Sequence, residues 1–173
     1  VGDLETLIGE LTSDDDSRAA RALAQLPQHG DSALEYLLKL LESGEDDHRW
    51  WAAAALGSIS GNAARDALIQ ALDDTDAGVR QCAVAALRQQ ADPASAPALI
   101  ELLGDQDRLL ARLASGALAS IGSEAISTLT LVMRSDDAQT RIEAARALGD
   151  CDDPTAVPAL FAALNDPSAV VVH

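Results

Sequence analysis

Four leucines, Leu56, Leu87, Leu118 and Leu148, stand 31, 31 and 30 residues apart. Arg49, Arg80 and Arg141 each lie seven residues before one of them. A period of this length marks stacked supersecondary units, and every other residue has to be read within that repeat. A second series, Leu11, Leu41, Leu72, Leu103, Met133 and Leu164, is spaced 30, 31, 31, 30 and 31 residues apart, each member closing a short apolar run. In the stretch DTDAGVRQCAVAAL, residues 74–87, Val79, Cys82, Ala83, Ala86 and Leu87 fall at i, i+3, i+4, i+7 and i+8, and Gln90 follows at i+11. That is one face of a 3.6-residue period. The aspartates before it suit a helix N-terminus, where a carboxylate accepts from open backbone N–H groups and offsets the positive end of the dipole. Each unit therefore reads as a first helix, an acidic turn, a second helix and a short turn. Neither helix can bury its apolar face alone, so neighbouring units must stack to make a core. The predicted class is all-α.

The details of the unit resemble HEAT-like repeats of the short type named after phycobilin lyases. The matching features are the proline-led first helices (Pro93 and Pro97, Pro154 and Pro158), the acidic turn, the pair Val79-Arg80, and the run Ala144, Ala145, Ala147, Leu148. The resemblance covers nearly the whole chain. It implies an α-α superhelix of about five to six helix pairs, a single repeat domain over residues 1–173, and second helices lining a concave surface. It says little of function, because the fold is a scaffold with many uses.

Helices are expected over residues 2–11, with Asp3 as N-cap, then 17–26, 32–42, 48–60, 63–72 and 79–90. A helix opening at Pro93 follows, then 109–121, 124–133, 138–148, and a last first helix from Asp152 to Leu164. In the second of these the ladder leucine reads as Leu23, 33 residues before Leu56, which makes the first joint longer by two residues. Asp166-Pro167 occupies an acidic turn, and Ala169 to Val172 begin a sixth second helix. Val170, Val171 and Val172 are not a polar cap. The expectation is a chain that continues past His173 or a frayed end; an apolar docking tip is the alternative.

Aromatic residues are only 2% of the chain, which thin Leu/Ala layers permit and a compact globule of 173 residues seldom does. No run approaches the roughly 18 apolar residues of a membrane span, and no basic start with an apolar core marks a secretion signal, although a chain beginning at Val1 is compatible with a trimmed leader. Cys82 and Cys151 lack metal-ligand spacing, and Cys82 falls on the core face. A cytoplasmic setting is the expectation. His29, His48 and His173 are scattered and none precedes a Glu. No nucleophile motif or Gly-rich phosphate loop is visible, so no catalytic residue, metal or cofactor is assigned.

Net charge is −16, from 28 acidic and 12 basic residues, which disfavours nucleic acid and anionic membranes as partners. The charge is segregated. Eight of the 12 basic residues, Arg18, Arg21, Arg49, Arg80, Arg88, Arg112, Arg141 and Arg146, sit in second helices, whose one clear acid is Glu143. The turns leading into those helices hold 14 of the 28 acids. Two readings of the arginines stay open. They form a structural ladder with turn aspartates, as the Asp74–Arg80 spacing suggests and as the resemblance implies, although Ser43 and Ser135 replace the acid beside Arg49 and Arg141. Or they line a binding stripe. Trp51 aligns with Cys82 and Leu113 and reads as core; Trp50 aligns with Gln81 and Arg112 and points away from the first helices. The expected site is a concave groove of Arg49, Trp50, Arg80, Gln81, Arg88, Arg112, Arg141 and Arg146, holding an acidic or helical segment of another protein, since Trp and Arg dominate interface hot spots. The runner-up, implied by the resemblance alone, is an accessory subunit of a phycobilin lyase or related chromophore-protein factor. Nucleic-acid binding is a distant third.

Overall fold

The computed structural model describes residues 2–13 and 15–166. They fall into two compact units, Val1–Gln90 and Ala91–His173. The first unit holds three helix pairs: α1 (Gly2–Leu11) with α2 (Asp16–Gln25), α3 (Asp31–Ser43) with α4 (Asp46–Leu56), and α5 (Asn62–Gln70) with α6 (Ala77–Gln90). The second unit holds α7 (Ala96–Glu101) with α8 (Arg108–Ile121), α9 (Ser123–Val132) with α10 (Ala138–Asp150), and α11 (Val157–Ala163). There is no strand among the described residues. The sixth second helix expected from Ala169 lies outside them.

Within each unit the second helices pack side by side, α2 on α4 and α4 on α6 in the first, α8 on α10 in the second, with the first helices on their flank. The ladder leucines Leu56, Leu87, Leu118 and Leu148 are all buried. Four residues before each stands an alanine that is fully buried: Ala52, Ala83, Ala114 and Ala144. The small side chain at this place lets one second helix approach the next, while each buried leucine contributes roughly 1.5–3 kcal/mol. The same pattern corrects the reading of α2. Leu26, not Leu23, is the buried ladder residue; it lies 30 residues before Leu56, and Ala22 holds the alanine place. Leu23 is half-buried. The first joint is therefore of ordinary length, and Leu26–His29 follows α2 as a short 3₁₀ turn.

The other series is buried at Leu11, Leu41, Leu72 and Leu103, half-buried at Met133, and fails at Leu164, which is 54% exposed with nothing among the described residues to cover it. Several first helices are tighter at their ends than the apolar period implies. Ala71–Asp73 and Leu102–Gly104 close α5 and α7 as 3₁₀ turns, and Pro93–Ser95 and Pro154–Ala156 open α7 and α11 the same way. Asp3 is inside the first turn of α1 rather than its N-cap. Helix α4 stops at Leu56, short of Ser60, because α6 reaches over its end: Gln90 Nε2 donates to the carbonyls of Leu56 and Ile59 at 2.9 and 3.0 Å. A Cβ at Gly57 would meet the Ala86 Cα and Cβ at 3.0 Å, so a larger residue would push α6 back by a few tenths of an ångström.

Two helices end on non-glycine residues in the left-handed region, Ala91 after α6 and Asp152 after α10, both with φ of 48°. A Cβ there is crowded by the following carbonyl. Ala91→Gly is expected to raise stability by about 1 kcal/mol, read as a higher thermal midpoint. A lower midpoint would show that the folded chain does not hold Ala91 in that conformation.

Candidate functional site

The turn aspartates have first a local task. Asp15 accepts from the N–H groups of Ser17 and Arg18, Asp107 from those of Leu109 and Leu110, and Asp137 from that of Thr140, at 2.7–3.2 Å. Asp76 accepts from Val79 at 3.0 Å. These are N-caps, each satisfying backbone donors that the helix itself leaves open. Thr140, through both its hydroxyl and its N–H, holds the Asp137 carboxyl below its ordinary value.

The arginines seven residues before the ladder leucines do two things at once. Arg49 Nη1 donates to the Gly44 carbonyl at 3.1 Å, closing the turn before its own helix. Its Nε and Nη2 form a fork on the Asp74 carboxylate at 2.8 and 2.7 Å. Arg141 repeats the arrangement, with Nη1 on the carbonyls of Ser135 and Asp136 and its fork on Asp166 at 2.7 and 3.1 Å. Arg80 Nη1 likewise donates to the carbonyls of Asp74 and Thr75 at 2.8 and 3.2 Å. Asp74 thus offers Arg80 its backbone oxygen and gives its carboxylate to Arg49. In both forks the acid serves the arginine of the preceding repeat, not the one that follows it.

That register explains the two serines. Ser43 and Ser135 stand where Asp74 does, and the preceding repeats carry Ala19 and Ala111, both fully buried, in place of the arginine. Acid and guanidinium are present together or absent together, as expected when either alone would be a poorly solvated charge. Ser135 keeps the turn: its Oγ accepts from the Asp137 N–H at 3.2 Å, as the Asp74 carboxylate does from Asp76 at 2.8 Å.

The paired groups are well covered, with 14% and 11% of the side chain exposed for Arg49 and Asp74, and 11% and 7% for Arg141 and Asp166. Arg146 donates through Nε to Glu143 at 3.0 Å on the same helix, and Glu143, which is buried, also receives Gln139. Of the remaining expected residues, Gln81 is half-buried, and Arg88 and Arg112 are exposed. Arg112 makes no hydrogen bond or ion pair with a described residue.

Trp50 is 38% exposed and meets Trp51 edge-on, ring centroids 4.8 Å apart at 89°. It is held from behind by α6, where Cys82 Sγ donates to its carbonyl at 3.4 Å. Trp51 is half-buried rather than core. Together they wall a cleft of ≈ 770 Å³ whose rim carries Asp16, Glu45, Asp47 and His48. Sequence spacing did not reveal this cleft, because Asp16 belongs to a different repeat from the tryptophans. Cys82 is no nucleophile. Burial pushes its thiol up to about 12, and burial raises that of Cys151 as well. Among the described residues no cluster of His, Cys, Asp and Glu could hold a metal, and no helix is long and apolar enough to cross a membrane.

Against known families, the model of HEAT repeats matches residues 4–88, 65–138 and 126–173. The chain belongs to the HEAT repeat family. No curated protein matches it in sequence. Among solved structures, this HEAT repeat chain is similar to one in the complex of CpcE and CpcF of phycocyanin lyase from Nostoc sp. PCC7120. Identity is 26%, over 97% of this chain and 72% of that one, with a TM-score of 0.59. It shares its fold with the protein YIBA of Escherichia coli, at 20% identity over 96% of this chain and 66% of that one, TM-score 0.62. It also shares it with a designed armadillo repeat protein in complex with the peptide (KR)4, at 22% identity over 97% and 94%, TM-score 0.53. These place it in the all-α superhelix class, with a phycobilin lyase-like relationship.

The Arg49 fork, with the Asp76 N–H adding to it against the opposing effect of burial, holds the Asp74 carboxyl below its ordinary value. A depressed carboxylate stabilises the fold fully above its unfolded-state value of about 4, and that contribution is lost as pH falls through the folded value. Asp74→Asn should therefore lower the urea midpoint at neutral pH and make progressively less difference towards about pH 3. An equal deficit at both would show that charge plays no part in the fork.

Proposed function

We propose that this HEAT repeat chain is a non-enzymatic scaffold whose second helices hold a segment of another protein. The observation that carries this reading is the division of labour among the arginines and tryptophans. Arg49, Arg80, Arg141 and Arg146 are spent on turns and carboxylates, and within each unit they stiffen the helices that carry them. Trp50 in the first unit and Arg112 in the second are exposed on second helices; Arg88 is exposed and Gln81 half-buried. Rigid neighbours reduce the ordering cost of binding, and exposed Trp and Arg are the side chains that contribute most at interfaces. Arg112 suits an acidic position of an extended or helical partner segment. In a pull-down from the source cells, Trp50→Ala combined with Arg112→Glu should reduce recovery of the bound protein by about tenfold. Undiminished recovery would overturn the proposal.

A second reading, an accessory subunit of a chromophore lyase, is favoured by the 26% identity to a chain of the CpcE–CpcF complex. In that role the chain would steady a partner rather than supply the bilin nucleophile, since Cys82 is buried. Mixing the chain with a bilin and an apo-phycobiliprotein, with and without a lyase partner subunit, should then increase covalent visible chromophore. No increase under either condition would remove this reading.

A further inference from the structure

We propose that the cleft walled by Trp50 and Trp51 takes a cationic side chain, a lysine or arginine of the partner segment. The inference deepens the scaffold reading and rests on it. Three carboxylates, Asp16, Glu45 and Asp47, lie on the rim; all three are exposed, and none forms an ion pair with a described residue. The nearby basic side chains are occupied elsewhere: Arg18 faces Asp15, Arg21 faces Glu10, and Arg49 turns inward to Asp74 and Asp46. Among the described residues, His48 is the one other titratable group on the rim. Glu45 and Asp47 flank the start of α4, and Asp16 starts α2, so capping and dipole compensation explain part of the acid there. They do not explain a large exposed indole at the same place.

Trp50 is fixed by α6 and by its edge-on contact with Trp51, which leaves indole surface open to the cleft. A cation over an indole face is attracted by the ring quadrupole, and surrounding carboxylates add to the attraction. An anion would meet the same face with the wrong sign. The cleft volume, ≈ 770 Å³, falls in the range of roughly 300–1,000 Å³ typical of ligand sites. A long, flexible basic side chain can lay its methylenes along the ring while its head meets the rim acids. The partner segment then carries a basic residue for this cleft besides any acid that meets Arg112.

The chain has two tryptophans, and both wall the cleft, so their emission reports on it directly. Titrating octalysine into the whole chain should shift that emission saturably, and octaglutamate should not. By calorimetry, Trp50→Ala and Asp47→Lys should each weaken octalysine binding about tenfold. Glu101→Lys, the same charge change at an exposed site elsewhere, should leave it nearly unaltered. If Glu101→Lys and Asp47→Lys weaken binding equally, the general field of a chain of net charge −16 accounts for it and the proposal falls. If octaglutamate shifts the emission instead, the cation assignment falls while the scaffold reading stands. If neither peptide binds, the assignment falls, and the pull-down above then decides the scaffold reading alone.

Discussion

Everything in the two units depends on how closely one second helix lies against the next, and alanine sets that distance. Ala22, Ala52, Ala83, Ala114 and Ala144, each four residues before a ladder leucine, are without exposed surface. With so little side chain between the backbones, leucines interlock, and groups on one helix reach the ends of its neighbour. Gln90 can then cap α4, Cys82 can reach the Trp50 carbonyl, and Ser115 Oγ can donate to the Glu143 carbonyl at 2.9 Å. A larger residue at any of these alanines would force the helices apart, and these contacts would lengthen together.

The same closeness brings charge pairs across the repeat. Arg49 and Arg141 span 25 residues of sequence to reach Asp74 and Asp166. An isolated exposed pair of this kind contributes little. Here the fork is largely covered, the guanidinium also closes a turn, and the Asp74 carboxylate also accepts from a backbone N–H. Removing one member leaves several partners unsatisfied, which accounts for Ala19 with Ser43 and Ala111 with Ser135 losing both charges at once. The net acidity of the chain is therefore no guide to any one surface, since part of it is capping and part is internal pairing.

The fold was legible because its signal is periodic. Leucine spacing, alanine runs and acidic turns recur from unit to unit, and each instance supports the others. The misreadings fall where a repeat is irregular. Leu23 and Leu26 both fit an apolar face, and only packing against α4 selects Leu26. Asp74 and Arg80 are close in sequence, so they read as a pair, yet Arg80 takes only the Asp74 backbone carbonyl, through Nη1, while the carboxylate goes to Arg49 of the preceding repeat. The candidate site was legible in its residue types and not in its grouping. Trp50 stood out as a partner anchor, but its surroundings are acidic, supplied by the starts of α2 and α4, and spacing along one helix cannot show that.

From the chain of letters alone come the class, the repeat and its register in the middle units. They follow from local terms, hydrophobic period, capping and turn chemistry, which act within one or two helices. The tertiary structure alone decides which arginines are spent internally and which stay on the surface. It also decides that two adjacent tryptophans share a cleft with carboxylates from another repeat. Those outcomes depend on distances between helices about thirty residues apart in sequence, and such distances are set by side-chain volume at the stacking face rather than by any pattern read along one helix.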